Sequence, residues 1–156
     1  MTRSIDRWLD EYGESHRHPV NKQIHWVCVP VIVFSVIGVL WSLPVPAALA
    51  AIAPGLNWAW LAAVVAVAYY LALSPRLAVG AALVLLALLL LAGALDRGPL
   101  SLWMLSVAVF VLAWIGQFIG HHIEGRKPSF FKDLQFLLIG PLWLLAAAYR
   151  RAGIAY

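Results

Sequence analysis

Polar and apolar positions along this chain are sorted into long blocks. Residues 1–22 are polar and contain Asp6, Asp10, Glu11 and Glu14; from Asn21 the chain runs into Ile24-His25-Trp26 and then through the apolar stretch 27–43. Further apolar runs occupy 57–73, 77–95 and 100–120, separated by Ser74-Pro75-Arg76 and by Asp96-Arg97-Gly98-Pro99. Each run approaches the roughly 20 residues that a helix needs to cross the hydrocarbon of a bilayer, and the Pro and Gly residues between them mark turns. Pro44, Pro46, Pro54 and Gly55 break the stretch after the first run and leave 47–53 too short to span. The last apolar stretch, 134–149, is also short and carries Gly140-Pro141 in its middle. It predicts a tilted, broken or re-entrant helix, with a full fifth crossing left open.

In the polar arm, Ile5, Trp8, Leu9 and Tyr12 recur at helical spacing, with Ser4 placed as an N-cap and Gly13 as a stop. This pattern predicts a short amphipathic helix lying on the membrane surface. His16-Arg17-His18-Pro19 then forms a loop, because Pro19 keeps His18 out of helical geometry and suits a first helical position itself. The arm lacks the apolar core of a signal peptide, so the first apolar run is expected to stay as an uncleaved anchor. The predicted fold class is therefore all-α: a polytopic integral membrane helical bundle with four transmembrane helices, a short or re-entrant C-terminal helix and an N-terminal amphipathic helix. One membrane-embedded domain over 1–156 is expected, with 1–22 as a cytoplasmic arm and 23–149 as the bundle.

Composition agrees with that pattern. The chain has 156 residues, 63% of them hydrophobic and 12% charged, and a mean hydropathy of +0.87, well outside the range of soluble domains. The net charge of +4 would suggest nucleic acid in a soluble protein. Here the bases flank apolar runs, so orientation and contact with anionic lipid explain them, and no nucleic-acid partner is expected. The single cysteine, Cys28, reads as a small buried hydrophobe. The tract 81–94 reads as lipid-facing material without chemistry, and most of the tryptophans as interfacial anchors or packing.

With four crossings, a final helix that does not cross and a cytoplasmic N-terminus, ten of the eleven bases fall inside and only Arg97 outside. The expected location is thus an integral membrane protein of a bacterial inner membrane. That topology brings two polar clusters to one face. All five histidines lie in them: His16, His18 and His25 in the first, His121 and His122 in the second. Neutral imidazoles bind iron, zinc, copper or nickel, and three or four converging on one point make a non-haem site. Gln117, His121 and Glu124 share one helical stripe, which could itself bind a metal or could be the polar last turn of a helix leaving the bilayer. Asn21 and Gln117, each four residues before a histidine, could orient a ring nitrogen or join helices by amide hydrogen bonds.

The spacing His16-x4-Asn21-x3-His25-x4-Pro30, followed by Gln117-Phe118-Ile119-Gly120-His121 and then Glu124, Arg126, Lys127 and Pro128, resembles the family of membrane 2-hydroxy fatty acid dioxygenases. The likeness runs over essentially the whole chain. It implies an Fe(2+)-dependent enzyme that removes one carbon from 2-hydroxy fatty acids by α-oxidation, with O2 as co-substrate. His16, His25 and His121 match the family's histidines and become the implied metal ligands and catalytic residues, with Glu124 and His122 as further candidate ligands and Asn21 and Gln117 as supports. Lys22, Arg126 or Lys127 would neutralise the substrate carboxylate, and the acyl tail would lie among apolar helices. Two other classes stay in view: a small membrane transporter or metal-handling protein using the same histidines, and a non-catalytic assembly protein. Oligomeric state is not legible in the sequence.

Overall fold

Each apolar run becomes a helix, and most of the starts are fixed by a side-chain cap. The computed structural model describes residues 4–53, 55–131 and 134–156. Helix α1 (Ile5–Gly13) begins at Ser4, whose hydroxyl accepts from Arg7 N–H at 3.4 Å. Helix α2 (Pro19–Ser42) begins with Pro19 behind His18, whose ring Nδ1 accepts from Val20 N–H at 3.2 Å. After the short α3 (Ala47–Ile52), the Asn57 side chain accepts from the amides of Ala59 and Trp60 and starts α4 (Trp58–Leu73). Ser74 ends α4 and caps α5 (Pro75–Asp96); Ser101 caps α6 (Leu102–Glu124). Gly125, at φ 71°, stops α6 in the left-handed conformation that glycine adopts most readily. A single 3₁₀ turn, Ser129–Phe131, leads towards α7 (Phe136–Arg151). Three helices, α2, α5 and α6, are long and apolar enough to cross a membrane, while α4 is shorter at 16 residues.

The four long rods share two ends. Histidines at the start of α2 and the end of α6 meet, so these helices run antiparallel. At the opposite end, Trp41 of α2 donates to Asp96 of α5 at 3.3 Å and Trp58 of α4 donates to the Pro44 carbonyl at 3.0 Å. The first end therefore gathers the start of α2, the end of α4, the start of α5 and the end of α6. Among the described residues it also carries every base except Arg97.

The α2–α6 seam closes on small residues. In a bilayer the lipid tails are as apolar as leucine, so helices adhere where small side chains permit close approach. Gly116 and Gly120 of α6 are spaced four apart; a Cβ on Gly116 would sit 2.7 Å from Cys28 Sγ, and one on Gly120 would collide with Asn21 Oδ1. Lower in the seam, a Cβ on Gly38 would collide with Ser106 Oγ.

The structure revises three expectations. The apolar face of α1 rests on protein, not on the membrane surface: Trp8, Leu9 and Tyr12 are buried with Phe136, Ile139 and Trp143 of α7. Trp8 meets Phe136 edge-on, with centroids 5.2 Å apart. Burying such side chains away from water stabilises docking by roughly 1.5–3 kcal/mol each. Second, Gly140-Pro141 does not break the last helix, which runs on through both residues. Gly140 is explained by packing, since a Cβ there would lie 2.9 Å from the Tyr12 hydroxyl. The beginning of α7 is tied to the end of α4 (Gln135 to Tyr69 at 3.1 Å, Leu138 carbonyl to Tyr70 at 3.0 Å). Its end is tied to the starts of α5 and α2, by Tyr149 with the Arg76 carbonyl and Arg151 over Trp26. Both ends of α7 thus touch the same end of the bundle, so the helix lies across it. Third, the tract 81–94 is only partly outward: Ala81, Leu89 and Ala92 are buried, whereas Leu83 and Leu90 are exposed.

The seam makes a sharp prediction. Gly120→Ala should lower the thermal stability of the detergent-solubilised protein by about 1–3 kcal/mol, the usual cost of overpacking. Gly13→Ala, whose added Cβ would meet only Trp143 Nε1 at an ordinary 3.5 Å, should leave the unfolding temperature nearly unchanged.

Candidate metal centre

Two histidines face each other with their other nitrogens already committed. His16 Nδ1 lies 2.6 Å from the Tyr12 carbonyl oxygen, and His25 Nδ1 lies 2.9 Å from that of Asn21. A carbonyl only accepts, so both Nδ1 atoms carry the proton and donate it. In a neutral ring this leaves Nε2 as a bare lone pair. The two Nε2 atoms are 2.9 Å apart and buried. A proton shared between them is disfavoured, because burial, reinforced by the neighbouring His25, pushes the His16 pKa down to about 3. Two lone pairs held this close are suited to sharing a cation.

His121 supplies the third ring. Its centroid is 4.9 Å from that of His16 and 5.0 Å from that of His25, and the three rings meet edge to face. His121 is buried and its Nδ1 has no hydrogen-bond partner. One nitrogen from each of the three histidines lies within 4.8 Å of the others, so the group can hold a metal ion. The donors fit: neutral imidazole is the form that binds metal, and an Nδ1–H bonded to a carbonyl fixes the tautomer that presents Nε2.

Each ring is placed by a different element. His25 lies in the second turn of α2 and His121 in the last turn of α6, brought together by the glycine seam. His16 lies in the loop after α1, and reaches the pair because α1 is docked on α7. Tyr12 stacks on the His16 ring, centroids 4.1 Å apart and 12° from parallel, and Trp143 closes over it at 5.4 Å. The loop itself is held by Glu124: Oε1 accepts from Arg17 N–H at 2.9 Å, and Oε2 accepts from His18 N–H at 2.8 Å and from Asn21 Nδ2 at 3.1 Å. Asn21 Nδ2 also donates to the Ser15 carbonyl at 3.2 Å.

Other candidates from the sequence fall elsewhere. Glu124 stays outside the three-histidine group, its carboxylate engaged in clamping the loop. His122 is exposed, turned about 100° from His121 around the helix, and His18 is the exposed cap of α2. Asn21 orients His25 through its main-chain carbonyl, while its amide serves the loop. Gln117 reaches across the seam to the His25 side chain instead of serving His121 on its own helix. Lys22, Arg126 and Lys127 are exposed. Sequence reasoning passed over Tyr12, Trp143, Trp114 and Ser129. The Gly116-x3-Gly120 spacing beside His121 was the available signal for how closely α2 and α6 approach.

Beside His25 and His121 the rods part to leave a cavity of about 60 Å³. Its wall includes the polar Gln117, Trp114 and Ser129 and the apolar Val29, Ile32, Leu137 and Pro141. An all-helical bundle with three candidate membrane spans and a buried histidine triad defines a membrane protein with a site able to hold a metal. The chain belongs to the family described as 2-hydroxy-palmitic acid dioxygenase Mpo1-like, which it matches over residues 2–152. No curated protein and no solved structure matches it.

Metal content separates the three rings from their neighbours. Alanine at His16, His25 or His121 should each remove most of the metal that co-purifies, measured as metal per protein, whereas His18→Ala and His122→Ala should retain it. Trp8→Ala touches none of the rings, yet should speed proteolysis of the 1–18 arm and lower occupancy, because it loosens the helix that delivers His16.

Proposed function

We propose that this protein is a non-haem Fe(II) dioxygenase that shortens 2-hydroxy fatty acids by one carbon in the plane of the membrane. The observation that carries the reading is the pair of Nε2 lone pairs held 2.9 Å apart beside a third buried ring. The family description supports the substrate class and the use of dioxygen. An all-imidazole set without thiolate suits iron, copper, nickel or zinc, and oxygen chemistry favours a redox-active ion over zinc. Three protein ligands would leave positions for a 2-hydroxy acid and for dioxygen, and an iron ion bound there would supply the electrons that activate oxygen.

The chain's own groups hold that arrangement. The carbonyls of Tyr12 and Asn21 fix the tautomers and ring directions of His16 and His25. Glu124 keeps the His16 loop against α6. Val29, Phe136 and Leu137 give the cavity a wall that excludes water, where polar interactions gain strength. Loss of one carbon as CO2, with a shortened carboxylic acid and water as the other products, balances the four electrons taken by O2. An ion-conducting role finds no support in the rods, since 26–42, 58–73, 77–95 and 102–120 contain no acidic or basic side chain.

The reading includes four crossings. Helices α2 and α5 both run from the first end to the second, so the chain must return between them, and α4 makes that return. With the base-rich end inside, the metal centre faces the cytoplasm. In a Cys28→Ala background, single cysteines at Glu14 and Lys127 should label from one side of inverted membrane vesicles and one at Arg97 from the other; labelling of Glu14 and Lys127 from opposite sides would rule out a shared centre. The activity itself is tested by supplying iron-loaded protein with 2-hydroxypalmitate and O2. One CO2 and one shortened acid should form per O2 consumed, and the His121→Ala protein should lose at least about 100-fold in rate.

A further inference from the structure

Buried hydrogen-bonding atoms without partners are rare in folded proteins, and each costs about 1–3 kcal/mol unless something else satisfies it. Among the described residues six such side-chain atoms remain, and four of them belong to residues lining the cavity beside the histidines: Trp114 Nε1, Gln117 Nε2, His121 Nδ1 and Ser129 Oγ. Gln117 is 6% exposed and Ser129 3%. Leaving His121 aside, the three remaining groups can all donate: an indole N–H, a primary amide and a hydroxyl. A cavity walled by unpartnered donors selects a ligand rich in acceptors.

Its size and apolar lining narrow the ligand further. About 60 Å³ of space accommodates roughly four or five water-sized groups, close to the head of a 2-hydroxy acid and far short of its chain. Besides the donors, the lining includes the apolar side chains of Ile32 and Val33 of α2 and of Leu137 and Pro141 of α7. Ile32, Val33 and Pro141 are half-buried and Leu137 is exposed, so this part of the lining opens outwards from the bundle. None of Lys22, Arg126 and Lys127 lines the cavity.

We propose that Trp114, Gln117 and Ser129 bind the carboxylate of the 2-hydroxy acid through neutral hydrogen bonds, turning its hydroxyl-bearing carbon to the histidine triad while the alkyl chain leaves past Ile32 and Leu137. This deepens the dioxygenase reading and rests on it for the substrate class. The cationic side chains of Lys22, Arg126 and Lys127 are then surface charges with no part in holding the substrate. Preorganised donors in a water-poor site bind an anion without a salt bridge, since little solvent competes for it.

The test is binding without turnover. Iron-loaded protein in nanodiscs is titrated under argon with 2-hydroxypalmitate and, separately, with 1,2-hexadecanediol, which keeps the chain and the 2-hydroxyl but lacks the carboxylate. Ser129→Ala, Trp114→Phe and Gln117→Met should each weaken the acid roughly tenfold, the effect of one lost hydrogen bond to a charged group, and change the diol less than about twofold. Iron content, measured alongside, should be retained in Ser129→Ala and Trp114→Phe, which decide the matter if Gln117→Met sheds iron through its contact with His25. Unchanged acid affinity in those two variants, equal losses for acid and diol, or a tenfold loss in Lys22→Ala, Arg126→Ala or Lys127→Ala instead would overturn the proposal. Donor-dependent binding of an acid that is never consumed in air would count against the dioxygenase reading alone; turnover with donor-independent affinity would count against this pocket alone.

Discussion

Two imidazole lone pairs pressed together inside a protein repel, and the rest of this molecule's first end works to keep them there. His16 and His25 cannot turn away, because the Nδ1–H of each is bonded to a main-chain carbonyl. Nor can they relieve the contact by sharing a proton at neutral pH, given how far burial lowers the His16 pKa. A cation drawing on both lone pairs would relieve that repulsion.

Different physics holds each ring. His25 and His121 approach through a seam in which close packing, not exclusion of water, does the binding, which is why Gly116 and Gly120 cannot carry side chains without displacing α2. His16 comes from outside the rods. It depends on ordinary hydrophobic docking of α1 onto α7 at the membrane boundary, and on a carboxylate that collects three N–H groups from the loop and from α2. The same α7 that receives α1 lends Leu137 and Pro141 to the cavity wall. One helix lying across the bundle thus links the placement of His16 to the shape of the pocket beside it.

Much of this could be read from the sequence because blocks of hydrophobicity are long and their caps are simple. Helices α1 and α2 begin where Ser4 and Pro19 signalled, and α4 and α6 begin within two residues of the apolar runs 57–73 and 100–120. The confinement of all five histidines to two clusters, with the bias of basic residues, brought those clusters to one face, and the family resemblance picked out His16, His25 and His121 from the five. What periodicity could not reveal was the partner of an amphipathic face: Ile5, Trp8, Leu9 and Tyr12 look the same whether they meet lipid or α7. Nor does spacing distinguish a carboxylate that clamps a loop from one that binds a metal, so Glu124 stood as a further candidate ligand, whereas its carboxylate accepts from three N–H groups. Gly140-Pro141 was misleading for a related reason. Both residues signal a break when taken alone, whereas here the glycine answers the bulk of Tyr12 from a distant part of the chain.

The central claim is that one metal ion is held by three imidazoles from α2, α6 and the loop after α1. X-ray absorption at the iron edge of the reconstituted protein tests it most directly. The account predicts a shell of nitrogen and oxygen near 2.1 Å with the outer-shell multiple scattering of about three histidine rings, reduced by one ring in a His16→Gln protein that still retains some iron. A spectrum with sulfur in the first shell, or with no imidazole scattering in the unaltered protein, would contradict it.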